Sequence, residues 1–199
     1  MRRIHMFQRV SANGYFAAPD GNLDWVVQEP ALDADAATQT TDAGAIMFGR
    51  KTYEGFASFW PNQVKGDSPT AQAPHGPARS SESLKRLAVW IDRAEKYVFS
   101  HTLKTASWTG TQLLGAFDPD KVEAIKRGPG ANIMIFGSGS IVSLLTQHGL
   151  IDDYTVVLAP IVLGSGMLPI RDVTAKLALR LVDVTQFEHG NVRLRYTKA

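Results

Sequence analysis

The stretch Ala45-Ile46-Met47-Phe48-Gly49-Arg50-Lys51-Thr52-Tyr53-Glu54 runs from a short apolar strand, through a glycine, into the charged first turn of a helix. An unbroken apolar run of this length marks a strand buried on both faces, as in a parallel sheet covered by helices. The same order recurs at Ile133-Met134-Ile135-Phe136-Gly137-Ser138-Gly139-Ser140, and Tyr97-Val98-Phe99 leads into Ser100-His101-Thr102. Ile4 to Val10 and Tyr154 to Leu158 add two more strands. Strands alternating with helices at this spacing predict an α/β fold with a largely parallel central sheet.

The intervening helices carry their own punctuation. Asp118 caps a helix that begins at Pro119 and stops at Gly128-Pro129. A second opens at Ser138 or Gly139 and ends at Gly149, with Ile141, Val142, Leu144 and Leu145 on its apolar side. Leu84, Leu87, Ala88 and Ile91 place a third over Ser80 to Ile91, and an alanine-rich helix is expected over Leu32 to Thr41. At the C-terminus the period changes to two. Leu177, Leu179 and Leu181 alternate, Glu188 to Asn191 turn the chain, and Val192, Leu194 and Tyr196 alternate again, which predicts an antiparallel hairpin closing one sheet edge. Between Trp60 and Ser80 lie four prolines in a polar stretch, expected to be a long loop that is a lid, a partner-contacting arm or partly disordered.

Composition narrows the chemistry. The 199 residues are 44% hydrophobic and 20% charged, a globular composition whose length allows one large domain or two small ones. With no internal repeat or composition shift to mark a second, one domain over 1–199 is expected. Twenty-one Lys+Arg against 19 Asp+Glu leave a net charge of +2, too little for a surface that binds nucleic acid or membrane by neutralising phosphates. No cysteine is present, so a thiolate nucleophile, a disulfide framework and Cys-ligated zinc are excluded. The five histidines are scattered without metal-ligand spacing. Gln8 and Arg9 interrupt the only N-terminal run that resembles a signal peptide, and no apolar run approaches the ~20 residues of a membrane span. A cytoplasmic protein is expected.

The strand ends hold the candidate site. A helix N-terminus that follows a strand and a glycine offers unpaired N–H groups and a positive dipole end to an anion, and Arg50 and Lys51 add charge. Equally, such a glycine can simply pack on the sheet beside solvated cations. The turn at Gly137 lacks the third glycine of the G-x-G-x-x-G fingerprint, since Val142 stands there, which disfavours a simple Rossmann domain. Phe56 and Trp60 follow the first of these turns on its helix and fit the core, a dimer interface or a pocket wall.

In their order along the chain, Gly49-Arg50-Lys51-Thr52-Tyr53-Glu54, Phe136-Gly137-Ser138-Gly139, and His148 to Tyr154 leading to Ala159 to Gly166 resemble the dihydrofolate-reductase-like superfamily. Within it the similarity is to the reductase domain of riboflavin biosynthesis and its free-standing relatives, and Ser11-Ala12-Asn13-Gly14 resembles that family's Ser-Leu-Asp-Gly segment. The resemblance implies a three-layer α/β/α domain with an eight- or nine-stranded, mostly parallel sheet and a C-terminal antiparallel hairpin, commonly a homodimer, binding NADPH. It places Gly49, Arg50, Lys51 and Thr52 at the pyrophosphate and 2′-phosphate, and Ser100, His101 and Thr102 by the adenosine phosphate and ribose. Gly137, Ser138, Gly139 and Ser140 would cradle the pyrophosphate from the other side, and Phe16 and Ala17 would line the nicotinamide.

Where that family usually carries Glu-Gly-Gly, this chain has Phe136, and without cysteine it cannot hold the zinc of the family's deaminase half. The implied activity is therefore hydride transfer alone, to a C=N or C=O of a pyrimidine- or pterin-like molecule. Dihydrofolate reduction and a non-catalytic NADPH-binding module are the rival readings. The resemblance implies a buried carboxylate on the first helix, as in dihydrofolate reductase, and the family's spacing back from Gly49 reaches Asp33, with Asp35 near it. Asp33 is either a proton relay or an acid stabilising the helix start, and Asp24 is a further candidate or a turn residue.

Overall fold

The computed structural model describes residues 1–27, 29–65 and 81–199. Its elements are β1 (Ile4–Ser11), α1 (Pro30–Gln39), β2 (Ala43–Gly49), α2 (Arg50–Lys65), α3 (Glu82–Arg93), β3 (Glu95–Phe99) and β4 (Thr111–Gly115), followed by α4 (Pro119–Arg127), β5 (Asn132–Phe136), α5 (Gly139–Gln147), β6 (Asp153–Ala159), β7 (Leu179–Gln186) and β8 (Val192–Lys198). The eight strands form one sheet in the order β4-β3-β2-β5-β1-β6-β8-β7. Neighbours from β4 through β6 are parallel, and β8 and β7 add the antiparallel hairpin.

The continuous apolar runs are explained by burial from both sides. On one face Phe7, Ile46, Phe48, Met134 and Phe136 meet Leu32 and Ala36 of α1, Phe56 and Trp60 of α2, and Leu87 and Ile91 of α3. On the other, Met6, Met47, Ile133 and Ile135 meet Val122 of α4 and Val142 and Leu145 of α5. Side chains that alternate along a strand thus serve two cores, and each large one buried contributes ~1.5–3 kcal/mol. A single-faced sheet would have left every second residue polar.

Several boundaries differ from expectation. α1 begins at Pro30, two residues before the expected start, because proline is preorganised for the first helical turn; its N-cap is Glu29, not Asp33. Glu29 caps nothing with its side chain. Its buried carboxylate instead accepts from the His189 N–H at 3.0 Å and the Asn191 amide at 2.8 Å, tying α1 to the turn of the β7–β8 hairpin. α3 runs over Glu82–Arg93, with the Ser81 hydroxyl accepting from the Leu84 N–H. The loop expected from Trp60 starts later, since α2 continues through Pro61 to Lys65, anchored by buried Phe56, Phe59 and Trp60. Residues 66–80, and with them the expected lid or arm, lie outside the described residues.

Lys96 joins α3 to the approach to β4. Desolvation pushes its pKa down to about 8, while its ammonium donates to the carbonyls of Asp92 and Thr109 and lies 4.2 Å from the centre of the Trp108 ring.

Candidate functional site

Parallel strands all end on one edge of the sheet, and in open α/β folds that edge is where ligands bind. Here β2 and β5 are neighbours, so their two glycine turns lie side by side. They are also bonded to each other. The Ser138 hydroxyl accepts from the Gly49 N–H at 3.1 Å, and the Thr52 hydroxyl accepts from the Ser138 N–H at 3.0 Å. Gln8, reaching across from β1, donates its side-chain amide to the Gly137 carbonyl. Gly137 and Ser138 both adopt left-handed backbone conformations, φ 53° and 51°, which swings the chain from the end of β5 straight into α5. The N–H groups of Gly139 and Ser140 donate to no described protein group and open the positive end of that helix.

Around these turns lies a cleft of about 1050 Å³, at the upper end of the size that holds small ligands. It brings together nearly all the residues singled out from sequence: Phe16, Ala17, Asp33, Gly49 to Thr52, Ser100 to Thr102, and Gly137 to Ser140. Their chemistry differs in detail from expectation. Thr52 and Ser138 spend their hydroxyls on fixing the turns. The Ser100 hydroxyl closes its own loop, accepting from Leu103 N–H at 2.9 Å, which leaves exposed His101 and Thr102 at the rim. Arg50 donates to both carboxylate oxygens of Glu54 at 3.0 and 2.9 Å, whereas Lys51 is exposed and makes no ion pair with a described residue.

Phe16 and Ala17 are held by a short antiparallel bridge to Met167, which takes up the Phe16 N–H and the Ala17 carbonyl. The crossing is tight: a Cβ on Gly166 would lie 2.5 Å from the Ala17 carbonyl oxygen, so only glycine fits there. The Phe16 ring in turn packs on Gly139, where a Cβ would meet it at 2.9 Å.

Asp33 lies within the cleft, 9% exposed, and its Oδ1 accepts from Arg9 at 2.9 Å. It is therefore neither an N-cap nor a solvated first-turn acid. Asp24 is exposed and shapes a turn with Asn22, and Asp35 pairs with Arg193, so neither shares Asp33's position. Arg9 was not legible as a site residue. Its signal was a cation within a strand whose burial makes it costly unless a partner faces it. Also unforeseen were Phe7 and Phe136, whose rings are 5.9 Å apart, and Leu84, Leu87 and Ile91 of α3, which line the cleft beside Phe56, Phe59 and Trp60.

Known proteins share this architecture. The model of the RibD C-terminal domain matches residues 2–193. The uncharacterized protein YyaP of Bacillus subtilis (strain 168) is 25% identical over 199 residues, covering 98% of this chain and 94% of that protein. A candidate riboflavin biosynthesis protein from Shewanella sp. PV-4 superposes with a TM-score of 0.72 at 18% identity, over 100% of this chain and 99% of its own. The Thermotoga maritima diaminohydroxyphosphoribosylaminopyrimidine deaminase/5-amino-6-(5-phosphoribosylamino)uracil reductase superposes with a TM-score of 0.63 at 15% identity, over 100% of this chain but 57% of that longer one.

Proposed function

The chain belongs to the RibD C-terminal domain family, and from that premise we propose that it is an NADPH-dependent reductase acting on a C=N or C=O of a pyrimidine- or pterin-like small molecule. Its three-layer dihydrofolate-reductase-like fold, mostly parallel with the C-terminal hairpin, is the one shared with the Shewanella protein. The observation that carries the reading is the pair of interlocked turns ending β2 and β5, which leave the N–H groups of Gly139 and Ser140 open beside Arg50 and Lys51. Rigid donors at a helix start, with cations next to them, suit a pyrophosphate flanked by a 2′-phosphate.

Bound there, NADPH supplies the hydride. The chain supplies position and exclusion of water. Gly137 to Ser140 and Thr52 hold the phosphate side, Arg50 and Lys51 select the 2′-phosphate, and His101 and Thr102 flank the ribose at the rim. The segment carrying Phe16 and Ala17, pinned by Met167, faces the reacting end. Asp33 exchanges the proton with the substrate, with Arg9 fixing its orientation through Oδ1. Thermal unfolding with and without NADPH tests this. At a hundredfold excess over its dissociation constant, NADPH stabilises by ~2.7 kcal/mol, and an unchanged midpoint at millimolar NADPH contradicts the reading.

A homodimer goes with this proposal. Leu181 and Val184 of β7 stand across from Tyr196 and Leu194 of β8, and the two β7 residues are 49% and 52% exposed. An apolar sheet face left open in this way favours a second copy. Sedimentation is expected to give a dimer for the parent and a monomer for Leu181→Asp with Val184→Asp; a dimer for both places the interface elsewhere. Among the described residues no helix is long and apolar enough to cross a membrane, and the cytoplasm, with its NADPH supply, is the proposed compartment.

A further inference from the structure

The segment that follows β6 returns over α5 as a strap. A Cβ on Gly139 would lie 3.3 Å from the Leu168 carbonyl oxygen, and the Arg171 N–H donates to the Ser143 hydroxyl at 3.1 Å. Further along, the Gln147 side chain donates to the Thr174 hydroxyl at 2.9 Å and accepts from the Thr174 N–H at 3.0 Å. Gly139, Ser143 and Gln147 are successive members of one i, i+4 row, so residues 168–174 follow the helix from its first turn to its last. Ser143 also donates to the Gly139 carbonyl at 2.7 Å, which ties the strap to the helix start.

The backbone of Arg171 is thereby fixed one turn, ~6 Å along the axis, from Gly139, within reach of an arginine side chain. That side chain lines the cleft with Ser140 and Leu144, which stand on the exposed row of α5. It makes no hydrogen bond to a described residue. Its one ion pair among them is with its neighbour Asp172 at 3.9 Å, where both side chains are well exposed and the contact is worth little. The carboxylates that line the cleft are engaged elsewhere, Asp33 by Arg9 and Asp20 by the Asn22 N–H. In the order β2-β5-β1-β6, Arg50 and Lys51 follow β2 on one side of β5, and the strap comes from β6 on the other. Cations therefore flank the open N–H groups of Gly139 and Ser140 from both sides.

We propose that Arg171 is a further binding residue of this cleft, directed at the diphosphate: its guanidinium donates to the phosphoryl groups held at the start of α5, from the side opposite Arg50 and Lys51. A planar guanidinium can give two parallel N–H bonds to one phosphoryl group, and two adjacent phosphoryl charges need more than a helix end to balance them. The assignment rests on the cleft being a dinucleotide site. It gives the strap the part that NADPH and NADH share, and leaves the 2′-phosphate to Arg50 and Lys51.

Calorimetric titration of the full chain with NADPH, NADH and inorganic pyrophosphate tests this by comparing the parent with Arg171→Ala and Arg171→Lys. Alanine is expected to weaken all three ligands by one common factor of about tenfold, the loss of a single charge-assisted contact, and lysine to recover part of it. The alanine variant's affinities should also fall less steeply with added salt than the parent's, which a merely structural role would not produce. Both variants should keep the parent's unfolding midpoint, because Ser143 holds the strap through the Arg171 N–H and not through its side chain. NADPH weakened alone moves Arg171 to the 2′-phosphate and overturns the proposal. Affinities all within about twofold of the parent's also overturn it, while leaving NADPH as the cofactor. A parent that binds pyrophosphate through Arg171 but ignores NADPH keeps the proposal and removes the cofactor reading; one that binds none of the three removes both.

Discussion

Replacing Arg50 and Lys51 together by alanine is expected to weaken NADPH by ~100-fold while NADH loses less than about fivefold, corresponding to two charge-assisted contacts of ~1.5 kcal/mol each to a 2′-phosphate. The two residues start from different positions. Lys51 is exposed and pairs with no described carboxylate, so its ammonium is free to meet an anion. Arg50 must first leave Glu54, but that pair is an exposed i,i+4 bridge, worth only ~0.3–0.5 kcal/mol, and exchanging it for a phosphate is favourable. Lys51→Ala alone should therefore cause a large part of the loss. Calorimetric titration of both nucleotides decides it, and an equal loss for NADH and NADPH removes these residues from the 2′-phosphate.

The second large effect is expected at Gly137. Its φ of 53° is a left-handed conformation that a β-branched residue resists, and a Cβ there would sit 3.3 Å from Thr52 Cγ2. Gly137→Val therefore combines backbone strain with displacement of the Thr52 hydroxyl that accepts from Ser138 N–H. The expected cost is ~2–4 kcal/mol in urea unfolding, with NADPH affinity down at least tenfold in whatever remains folded. Gly137→Ala, with one methyl and no branch, should fall about midway. A valine variant that keeps both stability and affinity would show that the turn does not need this geometry.

The fold was readable because its central strands are sandwiched. Ala45 to Phe48 and Ile133 to Phe136 are apolar at every position since each strand feeds two cores, and a glycine turn into a helix follows each. β4 gave no such signal. It is an edge strand, its residues from Thr111 to Gly115 only half-buried or exposed, and polar or small side chains interrupt it. The continuation of α2 through Pro61 was hidden for a different reason: the tertiary burial of Phe59 and Trp60 outweighs the hydrogen bond a proline removes.

Within the site, what lay close in sequence was legible and what depended on tertiary contact was not. The turns at Gly49 and Gly137 announce themselves locally. That Thr52 and Ser138 are spent on locking them together follows only from β2 and β5 being neighbours, across 86 residues of chain. The pairing of Arg9 with Asp33 spans 24 residues, and the leucines of α3 reach the cleft from yet another segment. Glu29 shows the same limit in reverse. It stands where a helix cap is expected, yet it serves a hairpin 162 residues away.

A crystal structure of the full chain grown with NADPH tests the central claim most directly. The pyrophosphate is expected within hydrogen-bonding distance of the Gly139 and Ser140 N–H groups, with the 2′-phosphate beside Lys51 and Arg50. Nucleotide bound away from the ends of β2 and β5, or a cleft left empty at saturating NADPH, would contradict it.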